Sequence, residues 1–299
     1  MIRGASPKVS IGLPVFNGER YLRQMLDSIL AQTFTDFELI ISDNASTDGT
    51  SDICRDYDAK DSRICYHRNQ ENLGAARNFN QAFHLSNGVY FRWASADDFF
   101  ARDSIERCVD VLDSNPEVVL CYPRTILIDD QGNIIRPYKD NLDLQSDRAA
   151  ERFALALERI GLVNVHYGLM RSSALRRSAL MKNYPGSDVA LIAELTLHGK
   201  FWEIRETHFY RRMHRNASSS MRTDEELQKF MDPQKKRTAG LPLLRRHLQY
   251  FLALSRTRLS TSERAHIAYI IARSAAMSRH KLLHELYGAL RCCVGRPMY

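Results

Sequence analysis

The sequence predicts an α/β domain with a mostly parallel sheet flanked by helices, followed by a helical C-terminal extension. Three observations point there. Strand-like and helix-like segments alternate four times within residues 8–123, with short connections, which is the pattern of a parallel sheet covered on both faces. Each of the first four strands runs into a polar cluster: PVFNGE, SDNASTD, RNQENLGAARN and SADD. In such sheets ligands bind beyond the carboxyl ends of the strands. Finally, the net charge of +7 is carried by one end, since residues 235–299 hold 13 Lys or Arg against Glu263 and Glu285.

The elements follow in order. KVSIGL (8–13) is a strand. Leu22, Met25, Leu26, Ile29 and Leu30 recur at helical spacing and predict a helix over 19–32. FELIIS is a second strand, TSDICRDYDAK a helix and RICYHR a third strand. GAARNFNQAFHLSNG reads as a helix closed by Gly88. VYFRWA is the fourth strand, RDSIERCVDVLDS a helix stopped before Pro116, and EVVLCYP a fifth strand. Beyond Pro123 the pattern changes. TILIDDQGNIIRP predicts a hairpin turning at Gln131-Gly132. A helix is expected over 146–160, a strand at NVHYGLM, a helix in SDVALIAELTLHGK ended by Gly199, and a short strand at FWEI. RETHFYRRMHRNASSS is polar and basic and reads as a loop. Residues 221–240 are the expected linker. Two or three helices follow from about 241, with one apolar stripe at Leu244, Leu248, Phe251 and Leu252 and another at Ile267, Ile270 and Ile271.

Hydrophobic residues at 44% and charged residues at 26% are ordinary for a soluble globular chain. No apolar run approaches the roughly 18 residues of a spanning helix, and the N-terminal apolar stretch is broken by Gly12 and Pro14, so a cytoplasmic protein is expected. Residues 1–234 carry a net charge of −4, so nucleic acid is not an expected partner. The basic tail instead suits an anionic surface, such as the inner face of a membrane, or a helical subdomain packed on the rest of the chain. Six cysteines without a C-x-x-C pair argue against zinc and for reduced, non-catalytic thiols.

The chemistry concentrates in two stretches. ISDNASTDGT ends a strand in Asp43 and a run of small polar residues. WASADDFF ends another in two adjacent carboxylates, Asp97 and Asp98. Side by side these repel each other and resist desolvation; a divalent cation relieves that conflict, and helix capping is the competing explanation.

PVFNGERYLRQMLDSILAQTFTDFELIISDNASTDGT, NLGAARN and SADD together resemble the family 2 glycosyltransferases, inverting enzymes with the Rossmann-like GT-A fold. The likeness covers about residues 8–220. It implies a catalytic domain over 1–220, with a nucleotide-binding half to about 123 and an acceptor half after it, before the linker and a basic tail over 241–299. It implies a nucleotide-sugar donor, a UDP-sugar by preference, a hydroxyl acceptor on a glycan or lipid-linked glycan, and Mg²⁺ or Mn²⁺ as cofactor. By the resemblance Pro14, Val15 and Phe16 line the base pocket, with Phe16 stacked on the base. Glu19 reaches the nucleoside, Asp43 accepts a hydrogen bond from the base, and Asn44 and Ser46 shape the cup. Asn72, Gly74 and Arg77 lie in the third loop. Asp97 contacts the ribose or the metal, and Asp98 is an equal candidate ligand. Ser95 stands where the family carries an acidic residue. Asp188, in YPGSDVALIAEL, corresponds to the catalytic base. YRRMHRNASSS resembles the family's Tyr-Arg-x-His stretch, so His214 is expected on the metal or diphosphate and Arg211, Arg212 and Arg215 on the leaving group's charge. His166 and His208 are expected to be structural. A non-catalytic sugar-nucleotide-binding subunit and a nucleotidyltransferase are the alternatives; for the latter, residues 14–20 lack the Gly-rich, Lys-bearing phosphate loop.

Overall fold

The computed structural model describes residues 6–293 apart from 216, 218, 219, 222 and 235–240. The strands are β1 (Val9–Val15), β2 (Phe37–Asp43), β3 (Ile64–Arg68), β4 (Tyr90–Trp93), β5 (Phe99–Phe100), β6 (Val118–Ile128), β7 (Ile134–Tyr138), β8 (Leu169–Arg171) and β9 (Lys200–Arg212). The helices are α1 (Glu19–Leu30), α2 (Thr50–Asp58), α3 (Ala75–His84), α4 (Ser104–Ser114), α5 (Ala149–Arg159), α6 (Ser172–Arg177), α7 (Ser187–Leu195), α8 (Asp224–Met231), α9 (Pro242–Arg256), α10 (Thr261–Met277) and α11 (Arg279–Cys293).

One sheet runs β3-β2-β1-β4-β8-β6-β9-β5, with β7 paired to β6. The first four strands of that order are mutually parallel. Every residue of β1 and β2 is buried, as expected of central parallel strands covered on both faces, whose sequences are nearly continuous apolar runs. Register is fixed so that Val15 pairs with Asp43 and Asp43 with Arg68. The carboxyl ends of β1, β2 and β3 therefore finish level, and the loops that leave them share one rim. Helix α1 buries Leu22, Met25, Leu26 and Ile29, its predicted stripe, against one face; α3 lies on the other, where Phe83 and Ala76 join Phe91 and Trp93.

Several expectations change. Helix α3 ends at His84, so Gly88 does not close it. That glycine lies where the chain enters β4, pressed against Ser10, and a β-carbon there would stand 2.6 Å from the Ser10 backbone nitrogen. NVHYGLM divides into a 3₁₀ turn (Asn164–Tyr167) and the short strand β8. β8 is antiparallel to both neighbours and interrupts the parallel order between β4 and β6. The first half of the stretch read as a basic loop, 205–212, belongs to a 13-residue strand, β9, paired in parallel to β6 through register shifts at Pro123–Thr125. Within the expected linker, 223–231 forms a capped helix: the Thr223 hydroxyl accepts from the Glu226 amide, and the Glu226 carboxylate accepts from the Thr223 amide. Residues 235–240 lie outside the described residues.

The C-terminal helices pack on the sheet domain. Tyr250 and Ala253 of α9 and Ile267 and Ile271 of α10 share a core with Phe153 of α5 and Ala190, Ala193 and Leu197 of and beside α7. Arg256 pairs with the nearly buried Glu194 at 2.6 and 3.1 Å, and the Glu263 carboxylate accepts from the Ala150 amide at 2.9 Å. The Ile267–Ile271 stripe is thus core and is unavailable to a membrane. The α9 stripe is the reverse: Leu244, Leu248, Phe251 and Leu252 all face outward, with Leu248 53% exposed. Among the described residues no helix is long and apolar enough to cross a membrane.

Candidate functional site

The rim is assembled from the loop after each parallel strand. At its centre Asp43 is fully buried. Its carboxylate accepts hydrogen bonds from the Ser46 amide (2.9 Å), the Ser51 hydroxyl (3.0 Å), the Tyr66 hydroxyl (2.8 Å) and the Arg68 guanidinium (2.8 Å). Burial pushes this carboxyl's pKa up, but the hydrogen bonds from Ser46, Tyr66 and Ser51 outweigh it and hold the group below the usual carboxylate value. Magnitudes agree: bonds to a charged acceptor contribute ~1.5–3 kcal/mol each, against a desolvation cost of several kcal/mol for one ion. A depressed folded-state value means that the stabilisation is present above the ordinary value of 3.8 and is lost as pH falls below it through the folded value. Asp43→Asn is expected to lower the melting temperature at pH 7, and its gap to wild type should narrow toward pH 3 in a thermal-unfolding series; a constant gap would remove this account.

The rest of the cup is braced by amides and hydroxyls. Asn44 accepts from the Leu73 amide (2.9 Å) and donates to Asn72 (2.8 Å), stapling the end of β2 to the third loop. Asn72 also accepts from the Gly74 amide at 2.9 Å. Gly74 has φ +82°, and a β-carbon there would meet the Met231 carbonyl oxygen of α8 at 2.3 Å, so only glycine fits. Ser46 accepts from the Asn17 amide at 2.9 Å, and Glu19 accepts from the Gly49 amide at 2.6 Å, which ties the start of α1 to the second loop. Pro14 and Val15 are buried beneath, while Phe16 stands out from the end of β1, 48% exposed. Arg77 is exposed on α3.

Beyond the ends of β4 and β9, Asp97 and His214 come together. Asp97 Oδ2 lies 3.2 Å from His214 Nε2, yet the two are not aligned as a hydrogen bond, and Nε2 is a buried nitrogen without a hydrogen-bond partner among the described residues. Two ligand atoms bound cis to one octahedral Mg²⁺ at about 2.1 Å stand about 3 Å apart. An orphaned imidazole nitrogen and a carboxylate oxygen at this spacing fit such an ion. No group of three or more His, Cys, Asp or Glu side chains that would hold a metal occurs among the described residues, so the remaining ligands would come from substrate phosphate and water. Asp98 does not join the pair as the sequence suggested. It is buried, its Oδ1 accepts from the Arg212 amide at 2.8 Å, and desolvation pushes its pKa up to about 7. It latches the exit of β4 to the end of β9.

Arg212 also departs from expectation. Its guanidinium donates to the carbonyls of Asp97 (3.0 Å), Asp129 and Asp130 (both 3.1 Å) and to Gln24 (2.6 Å), and lies over the Tyr21 ring. Four of its N–H groups are spent on protein acceptors, so it braces the loop under His214, whose ring also packs on Tyr21. Arg211 points to the other side of β9, donating to the Leu162 carbonyl and to Asn164.

Arg211 connects this metal-side cluster to Asp188. Its charge acts on both Asp98 and Asp188. Burial pushes the Tyr167 phenol up, and the charges of Asp98, Asp188 and Asp97 push it further, opposed by Arg211. Asp97, Asp98, Asp188 and Arg211 thus all lie within electrostatic reach of Tyr167. Asp188 sits in the first turn of α7, where its Oδ1 accepts from the Val189 amide at 2.9 Å. Burial raises its pKa, against the Val189 hydrogen bond and the charges of Arg211 and Arg246. Arg246 belongs to α9, so the C-terminal helices complete the surroundings of this carboxylate. His166, stacked on Trp93 at 4.5 Å, and His208, 3.1 Å from Asp103, take structural places.

The sequence reading missed Ser51, Tyr66, Arg68, Tyr167 and Arg246. Tyr66 and Arg68 alternate in RICYHR on the side that meets Asp43, a signal visible in the strand pattern. Arg246 carried no local signal.

The sequence model of Glycosyl transferase family 2 matches residues 10–183. An uncharacterized glycosyltransferase of Methanocaldococcus jannaschii is 31% identical over 135 residues, 44% of this chain and 47% of that protein. Chondroitin synthase of Escherichia coli is 34% identical over 129 residues, 43% of this chain and 19% of that enzyme. The matches thus span less than half the length of these curated relatives. Among solved structures, S. aureus TarS (residues 1–349) in complex with UDP superposes with a TM-score of 0.62 at 14% identity, over 95% of this chain and 73% of that one. A mannosyltransferase of Pyrobaculum calidifontis in complex with GDP-Man and Mn²⁺ does so with a TM-score of 0.53 at 15% identity, over 94% and 85%. These two establish the fold as GT-A. Since the family's sequence model covers more than half of the chain, and the strands it spans are those that build the rim, the protein belongs to glycosyl transferase family 2.

Proposed function

We propose that the chain transfers a sugar from a nucleoside-diphosphate donor, by preference a UDP-sugar, to a hydroxyl acceptor with inversion, in building a polysaccharide or lipid-linked glycan. The observation that supports this reading best is the Asp97–His214 pair, 3.2 Å apart with an unpartnered imidazole nitrogen, beyond β4 on the rim where β2 ends in the Asp43 cup; Asp188 and Asp97 both act electrostatically on Tyr167. The UDP bound to TarS and the product named for chondroitin synthase support the donor and the product class. Phe16 offers an exposed ring on which a base stacks. Asp188 accepts the acceptor's hydroxyl proton; that oxygen bonds to the anomeric carbon while the bond to the diphosphate breaks on the opposite face. Bound by Asp97 and His214, Mg²⁺ or Mn²⁺ would supply positive charge to the departing diphosphate, as the Mn²⁺ of the mannosyltransferase complex suggests. A thermal-shift screen of UDP-, GDP- and dTDP-sugars with Mn²⁺ tests the donor, because a ligand of the native state raises the melting temperature. A UDP-sugar is expected to give the largest shift and, with an acceptor, to release UDP. A shift without diphosphate release under any acceptor would make the chain a sugar-nucleotide-binding subunit.

The site would face a membrane-held acceptor, with the protein cytoplasmic and peripheral at the inner face. The outward α9 stripe, on a tail rich in arginine, supports this. Leu248→Glu with Phe251→Glu should abolish co-sedimentation with anionic vesicles and leave the melting temperature unchanged. Undiminished sedimentation would reject the membrane role.

A further inference from the structure

Beside Asp188 lies a groove of about 650 Å³ between the start of α7, the start of α9 and α11. Its lining includes Gly186, Arg246, His280, Lys281, His284 and Glu285. We propose that this groove holds a phosphate or diphosphate group of the acceptor and thereby sets the acceptor hydroxyl against Asp188. The inference rests on the reading of Asp188 as the base.

Four observations carry it. Neither Arg246 nor Lys281 makes a hydrogen bond or ion pair among the described residues, so two cationic side chains face the same concavity unspent. The lone acid, Glu285, is already engaged: its carboxylate accepts from the Leu243 amide (2.9 Å) and the Leu244 amide (3.2 Å) at the first turn of α9. Arg246 reaches the catalytic side, since its guanidinium stands 3.6 Å from where a β-carbon on Gly186 would be, and its charge acts on Asp188. Tyr184, 3% exposed, lies in the fields of both Arg246 and Asp188, and its hydroxyl has no hydrogen-bond partner among the described residues. An arginine fork, a lysine point charge and imidazole donors around one cleft match the several oxygens of a phosphate better than the single edge of a carboxylate. Gly186, at φ +81°, lines the groove and directly precedes α7, two residues before Asp188.

The test is metal-free and donor-free. Inorganic pyrophosphate is titrated calorimetrically into the whole chain in EDTA, for wild type and for Asp97→Ala, Arg246→Ala and Lys281→Ala. Wild type and Asp97→Ala should bind equally, and the two groove variants ~10-fold or more weaker, the scale of one charge-assisted hydrogen bond. No binding by wild type, or undiminished binding by both groove variants, overturns the proposal. Lys281 is exposed on α11, so its variant keeps the fold if Arg246→Ala does not. A second arm finds the source of the phosphate. Release of the chain from phosphatidylglycerol vesicles by excess pyrophosphate identifies a lipid headgroup in the groove; retention identifies a soluble acceptor's phosphate. Because no turnover is read, intact pyrophosphate binding without sugar transfer would sink the transferase reading alone, and the converse result would sink the groove alone.

Discussion

Asp188→Asn should reduce kcat for sugar transfer by ~10²–10⁴, the range supplied by a positioned general base, while the donor's dissociation constant stays unchanged. The substitution is nearly isosteric. The amide oxygen still accepts from Val189, so the first turn of α7 is retained, but no group remains that takes a proton from the acceptor. The pH profile carries an independent signature. Burial raises the Asp188 carboxyl above its ordinary 3.8, and the base works only when ionised. Activity should therefore climb with pH through a limb that lies above 3.8, and this limb should be absent from the residual activity of the variant. Turnover within tenfold of wild type would remove Asp188 from the mechanism.

Asp97→Ala should raise the Mn²⁺ concentration needed for half-maximal activity at least ~10- to 100-fold, since losses of that size already follow from disturbing residues behind a metal's ligands. Asp98→Ala should behave differently. It removes the acceptor of the buried Arg212 amide and is expected to cost ~1–3 kcal/mol of stability, read as a lower melting temperature, with the Mn²⁺ requirement unchanged. The contrast separates two neighbours that the sequence leaves equivalent. A higher metal requirement in Asp98→Ala than in Asp97→Ala would reverse the assignment.

The first half of the chain was legible because its physics is local. β1 and β2 are mostly apolar, and their polar exits follow at once, so strands, helices and rim could all be placed from residues 8–100. The second half was less legible. Glu203, Arg205, Glu206, Arg211 and Arg212 disguise β9, because charge falls on both of its faces and finds partners only in the folded chain, as Glu203 does with Arg124. Arg212 shows a related failure. A motif told that an arginine stands beside His214, but only tertiary hydrogen bonding decides whether its fork meets a substrate or three backbone carbonyls. The α9 stripe was readable as amphipathic, but periodicity alone does not say which side is wet: the buried face is His247, Tyr250 and Ala253, opposite the leucines.

The placement of β9 has a consequence for biosynthesis. The four strands that end at the rim precede β9 and α9 in the chain, so Asp97 waits for His214 and Asp188 for Arg246. Until β9 is made, the 11-residue β6 offers an open flank on that side, and an unpaired strand of that length invites association with other chains. A chain cut short before β9 would hold the loops after β1 to β4 on a sheet with one flank of β6 unpaired, so the stretch from β9 to α9 both seals the sheet and brings His214 to Asp97.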